Sequence, residues 1–142
     1  MHKKLNSVLL IDDDDGTNFI NQMLMERAEI ANTIVIALNG KEAIDYLTNS
    51  GKYKTEMGRQ NPEPMLILLD INMPIMDGWE FLIAYRNLPI NKSSKIIMFS
   101  STYNPDDKTR ADSILEITEF RNKPLTNALL SDIMKTHFAE YV

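Results

Sequence analysis

Apolar and polar positions alternate along this chain between two kinds of stretch. Ser7 to Ile11, Met65 to Asp70 and Lys95 to Phe99 are nearly unbroken apolar runs, and Thr33 to Ala37 is β-branched. Such runs read as strands buried on both faces, as in a parallel sheet. Ile117 to Phe120 predicts a brief fifth strand. Between them the period changes. Phe19, Ile20, Met23 and Leu24 mark an amphipathic helix to about Ala28, and Ala43, Ile44 and Leu47 mark a second that Gly51 ends. Trp79, Leu82 and Tyr85 or Arg86 predict a third helix from Gly78 to Leu88, broken by Pro89. Asn104-Pro105-Asp106-Asp107 supplies an N-cap, a proline at the first position and two acids, so a short polar fourth helix starts there. Thr126 caps a fifth, whose face is Leu129, Leu130, Ile133, Met134 and Phe138. Residues 51–63 hold two glycines and one proline and predict a surface loop, long enough to be either functional or mobile.

Five strands alternating with five helices form a βα repeat. Right-handed crossovers then make an α/β fold, a doubly wound parallel sheet covered on both faces. Periodicity leaves the strand order open. The length of 142 residues predicts one domain over residues 1–142, with no linker and no output domain after the last helix. Cysteine is absent, which excludes disulfides and thiolate metal sites and suits a reducing, cytoplasmic compartment. The apolar run after the basic start stops at Ile11 against four aspartates, too short for a signal peptide or a membrane span. A net charge of −5 offers no basic stripe, so neither nucleic acid nor membrane is expected as a direct partner.

If the strands are parallel, their carboxyl ends meet on one edge, where ligands bind in open α/β sheets. That edge collects Asp12 and Asp13, then Asp70, then Ser100, then Lys123. Converging carboxylates repel unless a cation sits between them, and hard oxygen ligands suit Mg²⁺ or Mn²⁺. A lysine and a hydroxyl opposite that cation make a phosphate-sized pocket, in which an aspartate can attack phosphorus. Blander roles suit other residues. Asp14 and Asp15 are expected to cap a helix, Asp77 to fix a loop, and Trp79 to pack. His2 and His137, near the chain ends, are expected to face solvent, and the nine methionines to fill core.

Asp12-Asp13 after a buried strand, Asp70-Ile-Asn72-Met-Pro74-Ile-Met-Asp77-Gly78, Ser100-Ser101 and Lys123-Pro124 together resemble the receiver domain of two-component response regulators, the CheY-like family. The resemblance runs from about Lys4 to Phe138. It implies the flavodoxin-like order 2-1-3-4-5 and a stand-alone phosphorylation switch rather than a true enzyme. Asp70 would be the phosphoacceptor. Asp13 and Asp70 would ligate Mg²⁺, joined by the Asn72 backbone carbonyl and, through water, by Asp12. Lys123 would pair with the phosphoryl group beside a cis peptide to Pro124. Ser100 replaces the commoner threonine and keeps its hydroxyl. Phe120 stands where the family has a switching aromatic, able to change rotamer but not to hydrogen-bond. The implied partners are a histidine kinase or a histidine phosphotransfer protein, and an unidentified downstream protein.

Two rivals belong to other classes. A haloacid-dehalogenase-type phosphotransferase has a second aspartate two residues after the first, where this chain has Asn72. A phosphorylation-independent scaffold of the same fold normally loses one of the acids or the lysine, and all are present here.

Overall fold

A computed structural model describes residues 3–56, 59–101 and 104–142. His2, and Thr102 after the fourth strand, lie outside the described residues. The strands are β1 (Leu5–Ile11), β2 (Ala31–Ala37), β3 (Leu66–Asp70), β4 (Lys95–Ser100) and β5 (Ile117–Asn122). The helices are α1 (Asp15–Arg27), α2 (Gly40–Leu47), α3 (Gly78–Arg86), α4 (Pro105–Asp112) and α5 (Asn127–His137). All pairings are parallel and the order is β2-β1-β3-β4-β5. This is the doubly wound flavodoxin-like sheet expected from the motifs.

Every residue of β3 is buried, because it lies between β1 and β4 with helices on both faces. Its alternate side chains feed two cores. Ile67 and Leu69 join Trp79, Phe81 and Tyr85 on one face. Leu66 and Leu68 join Leu130, Ile133 and Met134 on the other. Burying a leucine or isoleucine of this kind contributes about 1.5–3 kcal/mol. Each helix begins on a side-chain cap. Asp14, Asn39, Asp77, Asn104 and Thr126 accept from a backbone N–H two or three residues on, and Asp77 forms a capping box with Glu80. The capping role expected of Asp14 holds, whereas Asp15 is the first helical residue of α1 and not its cap, and Asp77, expected to fix a loop, caps α3. Met25, Met98 and Met134 lie buried in the cores as filler.

Three expectations need correction. In α1, Phe19 and Ile20 are 69% and 49% exposed, and the residues turned inward are Asn18, Asn21 and Met25. The Asp14 cap sets the helix phase directly after β1, and that phase aims Asn18 at the strand end, where its Nδ2 donates to the Asp12 carbonyl. Second, α2 stops at Leu47, with Asn49 in the left-handed region at φ 56°. Gly51 instead opens a 3-10 turn, Gly51–Tyr53. Third, His137 does not face solvent. Its Nε2 lies 2.7 Å from Glu119 Oε2, and the ring is largely covered by the β5–α5 packing.

The described residues of the 51–63 segment pack at the β2 edge of the sheet. The Tyr53 hydroxyl donates to the Ile36 carbonyl of that edge strand at 2.7 Å, and the Tyr53 ring meets Tyr46 edge-on at 5.5 Å. Tyr46 donates to the Pro62 carbonyl at 2.7 Å, and Asn61 Nδ2 donates to the carbonyls of Tyr46 and Tyr53. An open edge invites pairing with another chain, and here a tyrosine takes one of its acceptors. Tyr53→Phe keeps the ring contact and removes one hydrogen bond. It is expected to lower unfolding stability by about 0.5–1.5 kcal/mol, read as a lower urea midpoint at unchanged slope.

Candidate functional site

The ends of four strands, β1, β3, β4 and β5, build the site. The apolar register that aligns β1, β3 and β4 side by side carries Asp12, Asp13 and Asp70 to one edge. Carboxylate oxygens of the three come within 4.8 Å of one another. Asp12 and Asp70 are buried, at 5% and 9% exposure, whereas Asp13 is exposed at the mouth. From the end of β5, Lys123 Nζ donates to Asp12 Oδ2 at 2.5 Å and lies 3.3 Å from Asp70 Oδ1. The Lys123–Pro124 peptide is cis, as the motif implies.

The surrounding loops are held by main-chain bonds. Asp12 Oδ1 accepts from the Asp14 N–H at 2.9 Å, and the Lys123 N–H donates to the Ser100 carbonyl at 2.7 Å. Gly78 lies against β3: its N–H donates to the Ile71 carbonyl, and a Cβ there would sit 2.4 Å from the Asp70 carbonyl oxygen. Only glycine fits that approach.

Asp13, Asp70, Asn72, Ser101 and Lys123 line a crevice of about 300 Å³. Ser100, at the end of β4, is 2% exposed, and its neighbour Ser101 lines the crevice. Phe120 is partly buried against the core cluster that holds Trp79 and Phe81. Trp79 is a packing residue, as expected, and the Arg110 guanidinium lies over its ring at 4.3 Å. Sequence reasoning quoted Ser101 in its motif without giving it a role, and passed over Asn18. The signal for Asn18 was available, since Asn18 and Asn21 fall three apart on the face that continues from Asp14.

Burial raises the Asp70 carboxyl above its usual range, and the Asp12 charge adds to this, while Lys123 opposes both. Burial by itself would lower Lys123, but its bond to Asp12 and the charges of Asp12 and Asp70 outweigh that and raise it. The exposed Asp14 carboxyl is lowered, first by the Thr17 hydroxyl and then by the Thr17 N–H. Three carboxylates thus face one ammonium. That excess of negative hard oxygen donors fits a divalent cation of the Mg²⁺ or Mn²⁺ type.

Comparison with known proteins adds independent findings. The profile of the response regulator receiver domain matches residues 8–135. Two-component response regulator 24 of Arabidopsis thaliana is 33% identical over 93% of this chain and 84% of its own length. Response regulator Rcp1 of Synechocystis is 29% identical over 70% of this chain, a match spanning 65% of Rcp1, or just under two thirds. Among solved structures, a two-component response regulator from Cytophaga hutchinsonii superposes with a TM-score of 0.79 at 30% identity, covering 94% of this chain and 97% of that one.

The raised Asp70 carboxyl has a consequence for stability. An unfolded aspartate titrates near 3.9, so the folded state holds this proton to higher pH than the unfolded state does. Ionised Asp70 therefore costs stability at neutral pH, and the cost fades as pH falls through the folded value. Asp70→Asn is expected to raise the metal-free Tm by a few degrees at pH 7. The gain should shrink toward pH 4, as scanning calorimetry at both pH values would show.

Proposed function

Because the chain belongs to the response regulator receiver domain family, we propose that it takes a phosphoryl group on Asp70 and thereby changes a protein-binding surface. The observation that supports this most directly is the approach of Lys123 to both Asp70 and Asp12 beside the exposed carboxylate of Asp13. The donor is a phosphohistidine of a histidine kinase or of a histidine phosphotransfer protein. An Asp70 carboxylate oxygen attacks phosphorus, the phosphorus–nitrogen bond breaks, and its electron pair stays on the imidazole of the donor.

Asp13, Asp70 and the Asn72 carbonyl hold the cation, and Asp12 acts through water. When bound, that ion offsets the charge of the transferred group and of the carboxylates. Lys123 turns its ammonium from the carboxylates to the new phosphoryl oxygens, which replace the charge it leaves. Water attack on the same phosphorus returns the free carboxylate, so the chemistry acts on the chain itself.

The phosphoryl group adds a charge of about −1.5 to −2 and three acceptors. Lys123 reaches it in either state of the domain. Ser100 discriminates, because it ends β4 where the loop to α4 starts and closes on the phosphoryl only when that loop moves. One hydrogen bond to a charged group contributes about 1.5–3 kcal/mol, whereas a near-complete two-state swing needs about 5.5 kcal/mol. Loop amides and deeper burial of Phe120 supply the rest.

With a small acyl phosphate donor and Mg²⁺, mass spectrometry should find one base-labile phosphoryl group on wild type and none on Asp70→Asn. Asp13→Ala should label far more slowly and bind Mg²⁺ at least tenfold more weakly. Equal labelling of wild type and Asp70→Asn sinks the assignment. Ser100→Ala should still be labelled, yet lose most of the change in hydrogen exchange over residues 104–125. A change equal to that of wild type would remove Ser100 from the coupling.

A further inference from the structure

Behind the crevice, α1 turns two asparagines inward. Asn18 is 3% exposed and Asn21 is 9% exposed. The Asn18 Nδ2 donates to the Asp12 carbonyl at 2.8 Å, which settles the orientation of the amide. Its Oδ1 is fully buried and meets no protein donor among the described residues. A buried amide oxygen without a donor is costly. Asn18 and Asn21 line, together with Asp12, Asp70 and Lys123, a cavity of about 10 Å³ directly beneath the acid cluster. Room of about 10–15 Å³ accommodates one water, provided it has two to four polar partners. An ammonium carries three donors, and Asp12 and Asp70 face two of those on Lys123.

We propose that this cavity binds one ordered water and that Asn18 is a positioning residue for the acid cluster. The water donates one hydrogen to Asn18 Oδ1 and the other to a carboxylate oxygen of Asp12 or Asp70. It accepts from Lys123, and the Asn21 amide closes its fourth side. Asn18 then grips Asp12 twice, directly at the carbonyl and through the water at the carboxylate. The Asp12 carbonyl belongs to the same planar peptide as the Asp13 N–H, so the grip also sets the backbone of Asp13. Outer partners of this kind orient metal ligands, and removing them typically weakens metal binding 10–100-fold. The proposal rests on the reading of Asp12, Asp13 and Asp70 as a cation site, and its test can fail separately from the phosphoryl reading.

The test compares wild type with Asn18→Leu and Asn18→Ala in the full chain. In metal-free wild type, the Asn18 side-chain amide should show a nuclear Overhauser effect to a long-lived water. Leucine fills the space and dries it, so Mg²⁺ affinity by calorimetry should fall 10–100-fold. Alanine leaves room for water to reach the Asp12 carbonyl, so it should lose less. Thermal stability should run the other way, leucine melting above alanine because it leaves no cavity. A merely structural Asn18 would make affinity follow melting temperature. That result, wild-type affinity in Asn18→Leu, or no water signal in wild type would each overturn the proposal. Failure of wild type to take a phosphoryl group would count against the phosphoryl reading alone, with the water and Mg²⁺ measurements still deciding this one.

Discussion

Like charge held at short range is the constraint on which this site depends. Two carboxylates about 5 Å apart repel by about 3–4 kcal/mol at an effective dielectric near 20, and three are gathered here by the sheet edge. The fold does not relax this by turning the acids outward, since Asp12 and Asp70 are buried. It brings Lys123 to both of them from the end of the outer strand β5. One ammonium cannot balance three carboxylates, and the remainder is an affinity for added positive charge. Stability is given up at the position where a ligand restores it.

The rest of the domain divides into a stiff half and a loose half around that site. On the β1–β3 side, strands buried at every residue but Asn6 lie between two apolar cores. On the far side, α4 buries only Ala111 among its eight residues. Its neighbourhood is held instead by the Arg110 guanidinium over Trp79 and by a bidentate pair between Arg86 and Glu116. Exposed polar contacts of this sort contribute about 1 kcal/mol or less. A segment with so little buried apolar area opens at small cost. Trp79 follows Gly78, which touches the Asp70 carbonyl, so the contact to α4 begins one residue from the site backbone. The element most easily moved is thereby tied to the place where charge would arrive.

At the opposite edge the problem is to prevent contact. Among the described residues no strand lies beyond β2, and there the described residues of the 51–63 segment set Tyr53 on a main-chain carbonyl while Asn61 joins Tyr46 to Tyr53. The length of that connection is therefore explained by what it covers.

The alternation of strand and helix, the caps at Asp14, Asn104 and Thr126, and the acids, hydroxyl and lysine at strand ends were legible in the chain, because they rest on local rules of periodicity and turn chemistry. Strand order came from motifs and not from periodicity, since βα units of one pattern can be laid beside each other in several orders. Three features belonged to the tertiary structure alone. The buried face of α1 was misread because Phe19 and Ile20 are apolar, while the strand end needed a donor and the helix phase supplied Asn18. The pairing of His137 with Glu119 joins residues of α5 and β5, and no local pattern announces it. The shifts of Asp70 and Lys123 follow from burial and proximity, quantities that exist only once distant strand ends meet. Residue type and spacing determined which groups are present, and packing decided which of them share a dielectric, a partner and a cavity.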